Sequence, residues 1–124
     1  MDAAPLARLS TIILASLFVS TNCLAEILAF KCAFGGQQIY FTRYSDGTSA
    51  RVGTQVGVGD KAVVSEHKSG ALIFLETNMD GIPVTLTTIE PTMKAVHSRQ
   101  LLLPDGRVLA PSQQTGSCEK VELR

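Results

Sequence analysis

Turn-forming residues recur along the chain at short, nearly constant intervals. They are dipeptides and tripeptides that contain glycine or proline, at positions 35–36, 46–47, 59–60, 69–70, 80–81, 90–91, 104–106 and 115–116. The segments between them, such as KAVVSEH, ALIFLET, IPVTLTTIE, AVHSRQLLL and RVLA, are rich in β-branched and other apolar residues. Short segments of this kind with turns every 8 to 12 residues are typical of antiparallel β-sandwiches and barrels. The sequence therefore predicts an all-β domain of eight or nine strands.

The segment ahead of this domain resembles a secretory leader. Residues 9–19, LSTIILASLFV, are mostly apolar, and about 11 residues are too few for a membrane span of roughly 20. A stretch of this length fits the apolar region of a signal peptide, and Cys23 and Ala25 are the small residues expected before a cleavage site. We predict a signal peptide over 1–25, a single β domain over 26–124, and a periplasmic or secreted product. Lipid attachment at Cys23 is the alternative, disfavoured because Ser20, Thr21 and Asn22 do not form a lipobox.

Cleavage after Ala25 leaves two cysteines, Cys32 and Cys118, with only one possible pairing. Oxidising compartments form such bonds, and a loop of about 87 residues closed by a disulfide contributes about 4 to 5 kcal/mol in the chain-entropy model. Cys32 lies in the first predicted strand and Cys118 in the last. These strands are neighbours in a closed up-and-down barrel, which we favour as the architecture, with a sandwich as the alternative.

The charge balance excludes some classes of function. The chain has 11 Lys and Arg against 11 Asp and Glu, and it has no run of basic residues. Nucleic-acid binding draws most of its affinity from neutralising phosphates, so we expect no nucleic-acid partner. A polybasic segment for membrane surfaces is also missing, and we expect no transmembrane segment in the mature chain.

The most distinctive polar pair is His97 and Arg99 in AVHSRQLLL. Alternate residues of a strand share a face, so the two side chains form a small donor surface able to bind a carboxylate or a phosphate-like group. The same pair also fits a solvated outer face of the sheet, or an arginine paired with a glutamate of a neighbouring strand.

The other polar motifs fit structural roles better than catalysis or metal binding. Ser98 and His97 are adjacent and therefore point to opposite faces, so a hydrolase would need His67 to approach Ser98 from another strand. Two histidines are too few to form a protein zinc site. ETNMDG at 76–81 has only part of the pattern of a calcium-binding loop and fits a hairpin turn better. The glycines of RVGTQVGVGDK, at 51–61, indicate bulges or bends in a curved sheet. We predict no enzymatic activity, no catalytic residue, no metal site and no cofactor.

Two resemblances extend this interpretation. AVHSR at 95–99 and SQQTGSC at 112–118, with TLTTIE at 85–90, resemble segments of small exported bacterial β-proteins of uncharacterised function that carry one early and one late cysteine. That resemblance implies export and a β-fold, and it brings no known activity with it.

A looser resemblance is to the periplasmic C-type lysozyme inhibitors, which are eight-stranded barrels with an early cysteine bonded to a late one. Their inhibitory loop has the pattern S-G-x-x-Y, which Ser69 and Gly70 match, while Ile73 stands at the tyrosine position. The resemblance implies a role for Ser69 and Gly70 in binding a partner.

Together these observations predict an exported binding or inhibitory module for an unknown protein or cell-wall component. The predicted binding residues are His97, Arg99, Ser69 and Gly70. The alternative is a structural envelope protein that acts by self-association or by contact with wall or membrane components.

Overall fold

The fold is a closed eight-stranded antiparallel barrel, seen in a computed structural model that describes residues 24–99, 103, 105–108 and 111–123. Each strand pairs with its neighbours in chain order, and the last pairs with the first. The all-β prediction is confirmed, and the barrel is confirmed over the sandwich. The strands are β1 (Glu26–Phe34), β2 (Gln37–Tyr44), β3 (Ser49–Gly53), β4 (Asp60–Glu66), β5 (Leu72–Thr77), β6 (Pro83–Ile89), β7 (Lys94–Arg99) and β8 (Ser112–Lys120).

Most of the predicted leader, including Cys23, lies outside the described residues. Strand β1 begins at Glu26, the residue that follows the predicted cleavage site. Within the described part of the chain, no helix is long and apolar enough to cross a membrane.

The up-and-down order places the connections alternately at two ends of the barrel. We call one end the mouth; it carries the turns at 35–36, 54–59 and 78–82 and the connection between β7 and β8. The other end, which we call the base, carries the turns at 45–48, 67–71 and 90–93. A side chain near the end of an odd-numbered strand or the start of an even-numbered strand therefore lies near the mouth.

Apolar side chains fill the interior over the base and the middle of the barrel. Phe30, Cys32 and Phe34 are buried on one face of β1, as their alternation predicts. The rings of Phe41 and Phe74 meet inside the barrel with their centroids 5.1 Å apart. An eight-stranded barrel has an interior about wide enough for side chains to fill, and these rings occupy its middle. The remaining buried core residues are Ala50, Val52, Ala62, Val64, Leu72, Ile89 and Ala95.

Strands β1 and β8 close the barrel, and a disulfide joins them. Cys32 is the register partner of Cys118, and the bond Cys32–Cys118 confirms the predicted pairing. Because the bonded residues are 86 positions apart, the bond restricts the unfolded chain over nearly the whole domain. Closure also removes the two free sheet edges that an open eight-stranded sheet would present.

The glycines at 53–59 form a tight loop, which corrects the prediction that they make bulges or bends within the sheet. Strand β3 ends at Gly53 and β4 begins at Asp60, so the segment connects two strands. A Cβ on Gly53 would collide with the carbonyl oxygen of Val58 and lie 2.8 Å from Cα of Gly59. The loop packs on the outside of β2, where the Gly57 N–H donates to Oγ1 of buried Thr42 at 2.8 Å.

Two further details near the C-terminus differ from the sequence predictions. Thr115 and Gly116, predicted to form a turn, lie inside β8. Gly116 is needed there because a Cβ would collide with the Ala33 carbonyl oxygen and lie 2.6 Å from the Phe34 ring, so the glycine serves close strand packing and not a turn. The predicted strand over RVLA is also wrong among the described residues, where Val108 forms an isolated bridge only.

Substitution of Gly116 tests this packing. We expect Gly116→Ala to lower the free energy of unfolding by about 1 to 3 kcal/mol, because the added methyl group forces Phe34 or the β1 backbone to move. Gly36→Ala is the matched control, since a Cβ at Gly36 would meet no atom within 4 Å. Urea denaturation of both variants measures the difference. Equal stability of the two variants would contradict the close approach of β8 to β1.

Candidate functional site

The mouth of the barrel opens into a cavity of about 480 Å³. Its walls combine apolar side chains near the core with polar and ionisable side chains toward the opening. Barrel mouths are common places for ligand sites, because rigid strands hold the inward-facing side chains in fixed positions. The side chains that matter below come from β4, β5, β6 and β7; the lining includes Gln37, Ile39, Val52, Asp60, Glu76, Thr85, His97 and Arg99.

His97 points into the barrel, which excludes the solvated outer face considered above. Its Nδ1 is hydrogen-bonded to Oγ1 of Thr87 at 2.7 Å, and Thr87 is fully buried. The imidazole also packs on Phe34, with ring centroids 5.0 Å apart. Burial, and then the positive charge of Arg99, hold the pKa of His97 below its ordinary value. The imidazole is therefore neutral at pH 7, and Nε2 is the ring nitrogen not engaged by Thr87.

Arg99 lies two residues further along β7, at the edge of the mouth. Its register partner is Thr85 of β6, whose own partner on the next strand is Glu76 of β5. Arg99 is exposed, and its guanidinium is near enough to favour the ionised form of Glu76. The structure thus brings His97 and Arg99 together in one cavity, on the same inward face of β7.

Glu76 is the functional candidate that the sequence analysis missed. The Thr85 hydroxyl donates a hydrogen bond to Oε1 of Glu76 at 2.7 Å. Burial, together with the neighbouring carboxyl group of Asp60, raises the pKa of Glu76 from its ordinary value near 4.5 to about 7. Alternation could have revealed this position, because Leu72, Phe74 and Glu76 share one face of β5 and the first two are obvious core residues.

Residues 78–81 of the ETNMDG segment form a turn, as predicted, and Thr77 ends β5. Oδ1 of Asn78 accepts hydrogen bonds from the backbone N–H groups of Asp80 and Ile82 at 2.9 and 3.1 Å. The Asn78 side chain is therefore engaged in the hairpin connection between β5 and β6. Among the described residues, no group of three or more His, Cys, Asp or Glu side chains is arranged to hold a metal ion.

Ser69 and Gly70 lie at the base, at the opposite end of the barrel from the cavity. They belong to the turn between β4 and β5, where the Ser69 hydroxyl and Nδ1 of His67 are 2.9 Å apart. Gly70 has a positive φ of 93°, which suits a glycine in a tight turn. The four predicted binding residues therefore do not form one site: His97 and Arg99 line the mouth, and Ser69 and Gly70 form an exposed turn elsewhere.

His67 and Ser98 do not meet. His67 is in the same base turn as Ser69, whereas Ser98 is the penultimate residue of β7 and lies near the mouth. Ser98 is on the outward face of β7, where its hydroxyl accepts a hydrogen bond from Nε2 of Gln113 at 3.4 Å. The nucleophile and base pair considered in the sequence analysis is not formed.

The chain has no significant match among protein-family models, curated proteins or solved structures. The distinctive feature of the site at the mouth is a pair of carboxyl groups and a guanidinium held on different strands around one open cavity.

The raised pKa of Glu76 makes a pH-dependent contribution to stability. The folded protein keeps the Glu76 proton up to about pH 7, whereas the unfolded chain releases it near pH 4.5. This contribution is fully present below pH 4.5 and is lost as the pH rises through 7. We expect Glu76→Gln, which cannot ionise, to gain stability relative to the unmodified protein between pH 5 and pH 8.

Urea denaturation at several pH values measures this gain. Glu119→Gln removes an exposed carboxylate on β8, away from the cavity, and serves as the control for a simple change in net charge. A constant difference in stability between Glu76→Gln and the unmodified protein from pH 5 to pH 8 would contradict the burial of the carboxyl group beside Asp60.

The lowered pKa of His97 has the opposite effect on stability, since it makes the free energy of unfolding fall as the pH drops below about 6.5.

Proposed function

We propose that the mature chain is an exported binding module that receives a small polar ligand, or a polar group of a larger partner, in the mouth of its barrel. The cavity, with ionisable side chains fixed on rigid strands, carries the proposal. The partly buried carboxyl group of Glu76 is costly for a small domain, because its ionised form loses hydration unless it is paired. A ligand that pairs with this group offers a functional reason to keep it.

The described lining favours binding without a chemical step over catalysis by an activated serine, cysteine or lysine. The described lining contains no serine, cysteine or lysine that a neighbouring base could activate. The Thr85 hydroxyl is engaged as a donor to Glu76. The histidine is held in place by Thr87 and rests on the core ring of Phe34, which suits a fixed recognition group.

Export is part of the proposal. It depends on the predicted leader, and the disulfide is compatible with an oxidising compartment. In that location the available partners are envelope molecules, so we propose a cell-wall component or an envelope protein as the source of the ligand.

A retention experiment tests the proposal. The purified protein is mixed with a small-molecule extract of the cell envelope, passed through gel filtration, and examined by native mass spectrometry. We expect a bound compound with the unmodified protein and about a tenfold or greater loss with Arg99→Ala, since a charge-assisted hydrogen bond is removed.

Arg107→Ala is the matched control, because Arg107 is an exposed arginine outside the cavity that pairs with Asp105 at 2.6 Å. It should retain the compound. Equal retention by the Arg99→Ala variant, or retention of nothing by the unmodified protein, would contradict a binding site at the mouth.

Self-association is the second candidate function, and the outer face of the barrel favours it. Val63, Leu75 and Leu86 are register partners on three adjacent strands and are 55%, 37% and 45% exposed. These three residues belong to a row of outward-facing register partners that crosses β4 to β8. Neither this row nor the next outward-facing row toward the base carries a charged side chain. The two rows are Val63, Leu75, Leu86, Ser98 and Gln113, and Ser65, Ile73, Thr88, Val96 and Thr115.

A two-fold contact between identical copies brings residues near its axis against the same residues of the second copy, so a charge near the axis meets a like charge. An uncharged face with a central apolar row meets this requirement. Under this alternative, the second copy would cover Val63, Leu75 and Leu86, and the protein would act as a structural component of the envelope.

Small-angle scattering over a range of concentrations distinguishes the two candidates. The self-association hypothesis expects a dimer that Leu75→Glu converts to a monomer, because the substitution brings two carboxylates together at the contact. A monomer at every concentration would exclude this alternative.

Inhibition of lysozyme remains a prediction from the resemblance. It would use the exposed Ser69 and Gly70 turn at the base and would not involve the cavity.

A further inference from the structure

Opposite charges lie on different walls of the mouth cavity. Asp60 at the start of β4 and Glu76 near the end of β5 are carboxyl neighbours. Arg99 lies at the end of β7, separated from β5 by the single strand β6. Adjacent strands are about 4.8 Å apart, so the backbones at Glu76 and Arg99 are about 10 Å apart in the row that runs through Thr85.

We propose that the ligand of the mouth is a small dipolar molecule that carries an ammonium group and a carboxylate. Its ammonium would lie between the carboxyl groups of Asp60 and Glu76, and its carboxylate would bind the guanidinium of Arg99, with the His97 imidazole beside it. This inference rests on the proposed function, since it names the chemical class of the compound that the cavity receives.

The acidic wall suits an ammonium group. Two carboxyl groups this close disfavour double ionisation, and the raised pKa of Glu76 indicates that its carboxyl group keeps a proton up to about pH 7. An ammonium group has three donors and a positive charge, so it can replace that proton and donate to both carboxylates. The Thr85 hydroxyl already supplies one donor to Glu76 and holds its carboxyl group in place.

The basic wall suits a carboxylate. Among the described residues, the ion pairs within 4 Å involve Arg43 with Glu66 and Arg107 with Asp105, and Arg99 is in neither. A guanidinium presents a fork of N–H donors that matches a carboxylate in two parallel hydrogen bonds. His97 is neutral, so its ring can donate or accept a hydrogen bond without adding a second charge.

A ligand with only one charge fits the cavity less well. An anion that pairs with Arg99 leaves the carboxyl pair facing it, and a simple amine leaves the guanidinium unpaired beside the bound molecule. Unpaired charges that lose water on binding reduce affinity, so the mixed walls select for a molecule that satisfies both.

The pairing also determines how binding depends on pH. The described ionisable groups lining the cavity are Asp60 from β4, Glu76 from β5, and His97 and Arg99 from β7, while the described lining from β2, β3 and β6 is uncharged. Protonation of Glu76 competes with the ammonium group. Affinity should therefore fall as the pH is lowered through about 7, and binding near that pH should release protons.

Titration calorimetry with matched probes tests the inference. The probes are the four-, five- and six-carbon ω-amino acids, each compared with the amine and the carboxylic acid of the same chain length. At pH 8 we expect the best ω-amino acid to bind about tenfold more tightly than either of its single-charge halves, because it makes one further charge-assisted contact. Repeating the titration at pH 6 should weaken its binding.

Variants identify which wall holds which group. Arg99→Ala should abolish the advantage of the ω-amino acid over the amine, and Glu76→Gln should reduce its advantage over the acid. Arg107→Ala should change neither preference, and circular dichroism verifies that each variant is folded.

Two outcomes would overturn the inference. If the amine or the acid binds as tightly as the ω-amino acid, the ligand is not dipolar, although the mouth remains a binding site. If none of the probes binds, the dipolar assignment fails, while the retention experiment with envelope extract judges the proposed function independently, since it uses none of these probes.

Discussion

Closure of the sheet between β1 and β8 is the constraint on which the rest of the structure depends. The register pairs Cys32 with Cys118, and the disulfide restricts the two ends of the domain to neighbouring strands. An eight-stranded closed sheet has a narrow interior, so every inward side chain must either pack with its neighbours or face the opening. Gly116 shows how narrow this space is, because Phe34 and the Ala33 carbonyl oxygen leave no room for a methyl group on it.

The interior is divided along the barrel axis into an apolar part and a polar part. Phe41 and Phe74 pack in the apolar part, and the hydrogen bond between Thr87 and His97 marks the transition toward the mouth. Among the described residues, no buried side-chain nitrogen or oxygen lacks a hydrogen-bond partner. The apolar packing, the disulfide and the hydrogen bonds of the core therefore supply the stability that offsets the cost of placing ionisable groups such as Glu76 at the mouth.

Much of the fold could be predicted from the sequence, because alternation and turn chemistry act locally. The strand of Cys32 and the turns at 69–70 and 80–81 follow from such patterns, and the disulfide follows from the two cysteines that remain after the predicted cleavage. The predicted turn at Thr115 and Gly116 is wrong. Gly116 is required by the ring of Phe34 on another strand, and the local sequence does not distinguish such a glycine from a glycine in a turn. The site was harder to predict: whether His97 faces water or the interior depends on the register of β7 with β6 and β8, and Asp60 meets Glu76 only through the pairing of β4 with β5.

The mouth site depends on the register of β7, which turns His97 and Arg99 into the barrel. A slip of one residue would turn them outward and Val96 and Ser98 inward. Nuclear Overhauser spectroscopy measures this register directly. We expect cross-peaks between the His97 ring protons and the Phe34 ring, since the two ring centroids are 5.0 Å apart, together with contacts to Thr87. Cross-peaks from the Val96 methyl groups to Phe34, with none from His97, would contradict this register.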